Sequence, residues 1–154
     1  LGAMMARVFT AQHTGEEKNE LAWLARGVAY LVGTGRLEEA GYGSLVDYRR
    51  AWQEKLRQAD AWPRLSQLAT KQGFEETASS VGCVTAYTEL AAASLLEHHG
   101  WSGFYRWMRA AAARGGSKPE DQARREAFHA VFGQDPAAFD ASLRVQLSHG
   151  MYTH

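Results

Sequence analysis

The sequence predicts an all-α chain, a compact bundle of about seven helices with room for at most one short edge strand. Three observations carry that class. Apolar residues recur at steps of three and four almost throughout, which lines one face of a helix. Only three prolines occur in 154 residues, and Pro63, Pro119 and Pro136 each stand where a helix can open. Between the periodic stretches lie helix punctuation marks, with Ser, Thr or Asp ahead of a stretch and Gly behind it.

Thr14-Gly15-Glu16-Glu17 fits a capping box, with Thr14 as N-cap and Glu17 reaching back. Leu21, Leu24, Val28 and Leu31 follow on one helical face, and Gly33 and Gly35 are the expected stops. "GRLEEAGYG" reads as a loop with about one helical turn. Ser44 and Asp47 repeat the capping pattern ahead of Leu45, Tyr48, Trp52 and Leu56. Pro63 opens a short helix carrying Leu65 and Leu68, which Gly73 ends.

"FEETASS" then reads as a polar connector. Residues 80–99 hold the most apolar helix, with Val84, Tyr87, Leu90, Ala91, Ser94 and Leu95 together on a face and Gly100 at its end. Its many small residues allow close packing on both sides, so it belongs at the centre. Ser102 opens "GFYRWMRAAAARGG", stopped by Gly115 or Gly116. Ser117 and Pro119 lead into a helix with Ala123, Ala127, Phe128 and Val131 inward and Gly133 at its end. Asp135 and Pro136 open the last, which carries Phe139, Leu143 and Leu147. Strand signals are weak: short runs such as "RVFTAQ" alternate only loosely, and one of them is the candidate edge strand.

The length suits one domain. "LGAM" at residues 1–4 reads as a cloning remnant, leaving residues 5–154 as a single helical domain. Lys plus Arg number 17 and Asp plus Glu 17. With no net charge there is no broad field to draw nucleic acid, and a nucleic-acid partner is not expected. No apolar run approaches the ~20 residues of a membrane span. Cys83 is the only cysteine, so no intrachain disulfide can form.

The candidate chemical groups mostly have structural explanations. His98 and His99 are adjacent, so their side chains point about 100° apart on a helix and cannot easily grip one metal. His13, His129, His149 and His154 are scattered, and no metal ligand set is expected. Cys83, among valines and Gly82, reads as a buried inert thiol rather than a nucleophile. Five tryptophans mostly supply core, with a share left to line a groove. Arg106, Arg109, Arg114, Arg124 and Arg125 read as a solvated face.

Three stretches also resemble a known family. "LAWLARGVAYL", from Leu21 to Leu31, is similar to the "P-x-W-L-x-E-G-x-A-x-Y" helix of gluzincin-type zinc metallopeptidases of the peptidase MA group. "AYTELAAASLLEHHGWSGFYRWM", from Ala86 to Met108, resembles that group's later helix pair. "AFHAVFGQDPAAFDASLRVQL", from Ala127 to Leu147, resembles its closing pair. Order and approximate gaps agree over residues 20–147.

The resemblance implies a zinc ligand where this chain has Arg26. A guanidinium has no lone pair to give and its charge repels Zn²⁺. The family's H-E-x-x-H motif is also missing from the residues before it. The expectation is therefore a non-catalytic, degenerate peptidase-like domain with no metal and no cofactor. It binds a peptide, a protein or a small molecule in a groove formed by Trp23, Arg26, Tyr30 and Tyr87. The alternative is the helical part of a metallopeptidase whose zinc-binding segment lies outside this chain. Arg26 itself either snorkels to water at the edge of its face or pairs with a carboxylate at the vacated metal position.

Overall fold

The computed structural model describes residues 21–150, Glu120 as backbone only. Among the described residues there are six helices and no strand: α1 (Ala22–Glu39), α2 (Leu45–Arg57), α3 (Lys71–Ser80), α4 (Val84–Gly115), α5 (Glu120–Phe132) and α6 (Pro136–Ser148). The Thr14 capping box, the "RVFTAQ" run, residues 1–4, His13 and His154 lie outside the described residues.

α4 is the axis of the fold and packs against each of the other five described helices. Its core side is continuous, with Val84, Ala86, Tyr87, Leu90, Ala91, Ala92, Ala93 and Leu95 all buried. Its range, Val84–Gly115, spans two helical segments. Gly100 does break it, at φ +62°, a conformation open chiefly to glycine. Helical geometry resumes just beyond it, so α4 is two helical segments joined at a kink where the sequence places a helix end. Ser102 is consequently inside α4, and its hydroxyl donates to the His99 carbonyl.

α1 lies against α4 through a glycine. A Cβ built on Gly27 would stand 2.7 Å from both the Thr88 carbonyl oxygen and the Ala92 Cβ. The two backbones approach so closely because position 27 has no side chain. Gly33 and Gly35, expected to stop α1, lie within it. The stop is Gly41, at φ +81°. Its amide donates to Glu38 and the Tyr42 amide reaches back to Leu37, the paired bonds that close a helix in the left-handed conformation.

The short helix expected from Pro63 is absent. Residues 61–64 are irregular and 65–68 form turns, because outside groups claim the backbone there. The Trp62 and Pro63 carbonyls accept from Arg144, and the Leu65 amide donates to Asp140. The Leu68 and Ala69 carbonyls accept from the Trp23 and Ala22 amides, which open α1. The "FEETASS" stretch, expected as a connector, is the body of α3. Thr70 caps α3 by accepting from the Gly73 amide at 3.0 Å, and Phe74 anchors it in the core. Gly73 starts that helix and does not end one. The Ser44 cap, the Gly133 stop at φ +77° and the Asp135-Pro136 opening stand where the sequence puts them.

One apolar cluster runs through all six helices. At its far end Trp23 stacks on Phe139 at 5.9 Å and meets the edge of Phe128 at 6.1 Å. Trp107 is buried with its indole N–H on the Arg124 carbonyl. Arg124, read from sequence as solvated, is 7% exposed. No described helix is long and apolar enough to cross a membrane.

Candidate functional site

A cleft of about 870 Å³ opens between the 64–70 segment and the start of α6, with Arg125 of α5 on its rim. Its floor is Leu65, Trp23 and Asp140. Its mouth carries Arg64, Arg125 and Asp135.

Asp140 organises the floor. It sits one turn into α6 and is 9% exposed. The Tyr87 hydroxyl donates to its Oδ1 at 2.5 Å, and the Leu65 amide donates to its Oδ2 at 3.3 Å. Arg144, one turn later on α6, brings Nε to 3.7 Å from Oδ1. The same guanidinium donates to the Trp62 and Pro63 carbonyls at 3.1 and 2.5 Å and lies 5.5 Å from the Tyr87 ring centre. A buried carboxylate needs such partners, since an unpaired one costs several kcal/mol. Burial, and then the neighbouring Asp140 carboxylate, push the Tyr87 phenol well above its ordinary range. Tyr87 is thus a neutral donor.

The four residues expected to share a groove fall at different depths. Trp23 lines the cleft at its back and is 1% exposed. Tyr87 is fully buried and reaches the floor through Asp140. Arg26 and Tyr30 do not line it. Arg26 lies with its guanidinium carbon 4.4 Å from the centre of the Phe74 ring and 3.6 Å from Glu75 Oε1. It pairs with a carboxylate of α3, on the helix that was expected to be a loop. At Gly27 α1 and Tyr87's helix are in direct backbone contact.

Sequence reasoning missed Asp140, Arg144 and Arg64. An Asp and an Arg four apart on α6 are a legible pair. Their partners on the 62–65 segment, some 75 residues earlier, are not.

The remaining reactive groups are held in structural roles. The Cys83 thiol is 1% exposed and contacts the Ala61 carbonyl. Burial pushes it up toward the protonated form. His98 bonds the Ser94 carbonyl. His99 packs edge-on against Phe132, where burial, then His98 and Arg106, lower its basicity. His129 stands 3.2 Å from Asp135. Among the described residues no three His, Cys, Asp or Glu side chains are grouped so as to hold a metal ion. No protein-family model, curated protein or solved structure matches this chain.

Proposed function

We propose that this chain is a non-catalytic, peptidase-like helical module that binds a ligand in the cleft above Asp140. The ligand is a peptide, a protein segment or a small molecule. The observation that carries this reading is the cleft itself. Its volume of about 870 Å³ lies in the roughly 300–1,000 Å³ range of small-ligand sites. Its polar groups favour holding over transforming. Asp140 and Arg144 are committed to the walls they support. The Ser66 hydroxyl has no histidine in the same lining to activate it.

The resemblance to gluzincins supports the non-catalytic half. Arg26 stands where that family places a zinc-binding glutamate, and its guanidinium rests on Phe74 and Glu75. The second reading is the helical part of a metallopeptidase completed by a segment outside this chain. Arg26 speaks against it, because loss of a segment does not change a residue inside the part that remains.

Two measurements test the proposal together. Titration with a mixed-sequence peptide library, followed by amide NMR, is expected to shift Leu65, Ala69 and Ala137. Plasma mass spectrometry of the purified protein is expected to find no stoichiometric zinc. Unshifted cleft amides overturn the binding role, and tightly held zinc overturns the non-catalytic one.

A further inference from the structure

The second half of α4 carries a surface that shares no residue with the cleft. From Ala86 to Leu95 every residue of the helix is buried. Beyond the Gly100 kink only Gly103, Phe104 and Trp107 are buried, and they face Phe132 and Arg124 of α5. The opposite side lies open. Trp101 and Tyr105 stand on it at 36% and 52% exposure. Arg109 follows one turn later, its guanidinium carbon 5.8 Å from the Tyr105 ring centre, within reach of a cation–π contact. Steps of four place the three on one ridge, which the exposed Ala112 extends to about 16 Å.

The charge on this segment has one sign. From His98 to Pro119 there is no Asp or Glu, while Arg106, Arg109, Arg114 and Lys118 are all cationic, in a chain with 17 charges of each sign. Lys118 is paired with Glu126, and Arg114 donates to the Ala110 carbonyl. Arg106 and Arg109 are exposed and have no carboxylate partner among the described residues. Elsewhere on the surface Arg49 and Arg57 meet Glu97 and Glu54. Tryptophan, tyrosine and arginine together are the residues that protein interfaces concentrate. Two unpaired guanidiniums among them call for carboxylates from outside. A bilayer asks for a broad apolar face, and here the cations lie among the rings. A phosphate backbone asks for several cations in line, and two of the four are engaged.

We propose that this face docks an acidic amphipathic helix of a partner protein. The apolar stripe of that helix seats on Trp101, Tyr105 and Ala112, and its carboxylates meet Arg106 and Arg109. The small side chains of Ala112 and Ala113, both exposed, let a second helix lie close.

The test titrates the full chain with a mixed set of helical peptides that carry leucine along one face and glutamate beside it, and with the same set bearing glutamine for glutamate. Amide NMR is expected to shift Tyr105, Arg109 and Ala112. The glutamate set is expected to bind about tenfold tighter, from two exposed ion pairs worth about threefold each, and added salt is expected to close the gap. Arg106→Ala and Arg109→Ala are each expected to narrow it to about threefold and leave melting unchanged, because both side chains are exposed. Tyr105→Ala is expected to weaken both sets alike, by about tenfold. Sets that bind equally overturn the acidic assignment. Shifts confined to the cleft amides overturn this surface and leave the cleft's role standing, and no shift anywhere overturns it too. Tighter binding to a single-stranded oligonucleotide or to anionic lipid vesicles than to the glutamate set overturns the protein partner in favour of nucleic acid or a membrane surface.

Discussion

The Tyr87 hydroxyl and the Asp140 carboxylate meet at 2.5 Å across 53 positions of sequence, and that bond joins the central helix to the floor of the cleft. Removing the hydroxyl alone leaves Asp140 charged and buried with fewer donors. Tyr87→Phe is therefore expected to cost about 1–3 kcal/mol. Asp140→Ala strands more groups, because the Tyr87 hydroxyl, the Leu65 amide and Arg144 all lose a partner at once. Its cost is expected to be larger, about 3–5 kcal/mol. The double variant should cost less than the sum, as groups sharing one network do not add. Urea midpoints at constant slope measure all three. A Tyr87→Phe variant as stable as the parent contradicts the account.

Arg144 is expected to act on the 62–65 segment more than on the helix that carries it. Its guanidinium replaces the backbone partners that a helix there would have supplied. Arg144→Ala should cost about 1.5–3 kcal/mol, the range for a hydrogen bond to a charged group. It should also speed hydrogen exchange at the Leu65 and Leu68 amides relative to those of α4. Arg144→Lys should fall between, because one ammonium does not span two carbonyls in the geometry of a fork. Unchanged exchange at Leu65 would show that the segment is held by Asp140 alone.

Two of the three glycines of α1, Gly27 and Gly33, should respond in opposite directions. At Gly27 an added Cβ stands 2.7 Å from Thr88 O and Ala92 Cβ, and neither a helix backbone nor a buried methyl can step aside. Gly27→Ala is expected to destabilise by about 1–3 kcal/mol, the usual cost of overpacking. At Gly33 nothing lies within 4 Å of the added carbon. Gly33→Ala is expected to stabilise by about 0.5–1 kcal/mol through helix propensity alone. Thermal unfolding of the pair separates packing from propensity in one experiment.

Those glycines also show what the sequence could and could not disclose. Local rules read several helix boundaries whose deciding contact is within about four residues. The Ser44 cap, the Gly133 stop and the Asp135-Pro136 opening are all of that kind. Gly33 and Gly35 looked like stops, but glycine inside a helix costs only ~1 kcal/mol. The true stop, Gly41, is marked by backbone bonds from Gly41 and Tyr42 that no composition rule weighs. The 61–70 segment was misread for a different reason. Its amides and carbonyls are satisfied by Arg144, Asp140 and the first turn of α1, so tertiary bonds outweighed the pattern of Pro63, Leu65 and Leu68. The cleft inherits that difficulty. Trp23 and Tyr87 were legible as important aromatics, while the polar floor beneath them is made by groups far apart in the chain.

Glu89 is expected to contribute a pH dependence to the stability of the fold. It lies on α4, 5% exposed, and its Oε2 has no hydrogen-bond partner. Burial pushes its carboxyl from the ordinary 4.5 up to about 8, with Lys55 of α2 pulling weakly the other way. The folded chain therefore keeps a proton that the unfolded chain has already released over that interval. Where the folded state binds the extra proton, stability falls as pH rises, by about 1.4 kcal/mol per pH unit for one group. This contribution is complete below 4.5, declines up to about 8, and is lost above it. Glu89→Gln keeps the shape and cannot ionise. It is expected to match the parent at the acidic end and to exceed it by an increasing margin toward the alkaline end. Glu89→Met, of similar length with no polar head, should remove the slope as well and guards against an effect of the amide. The difference between parent and variant urea midpoints, taken across the interval, cancels the titration of every other carboxylate. A difference that stays flat with pH would mean Glu89 is ionised in the folded chain, and Lys55 would then be its counter-ion instead of a distant neighbour.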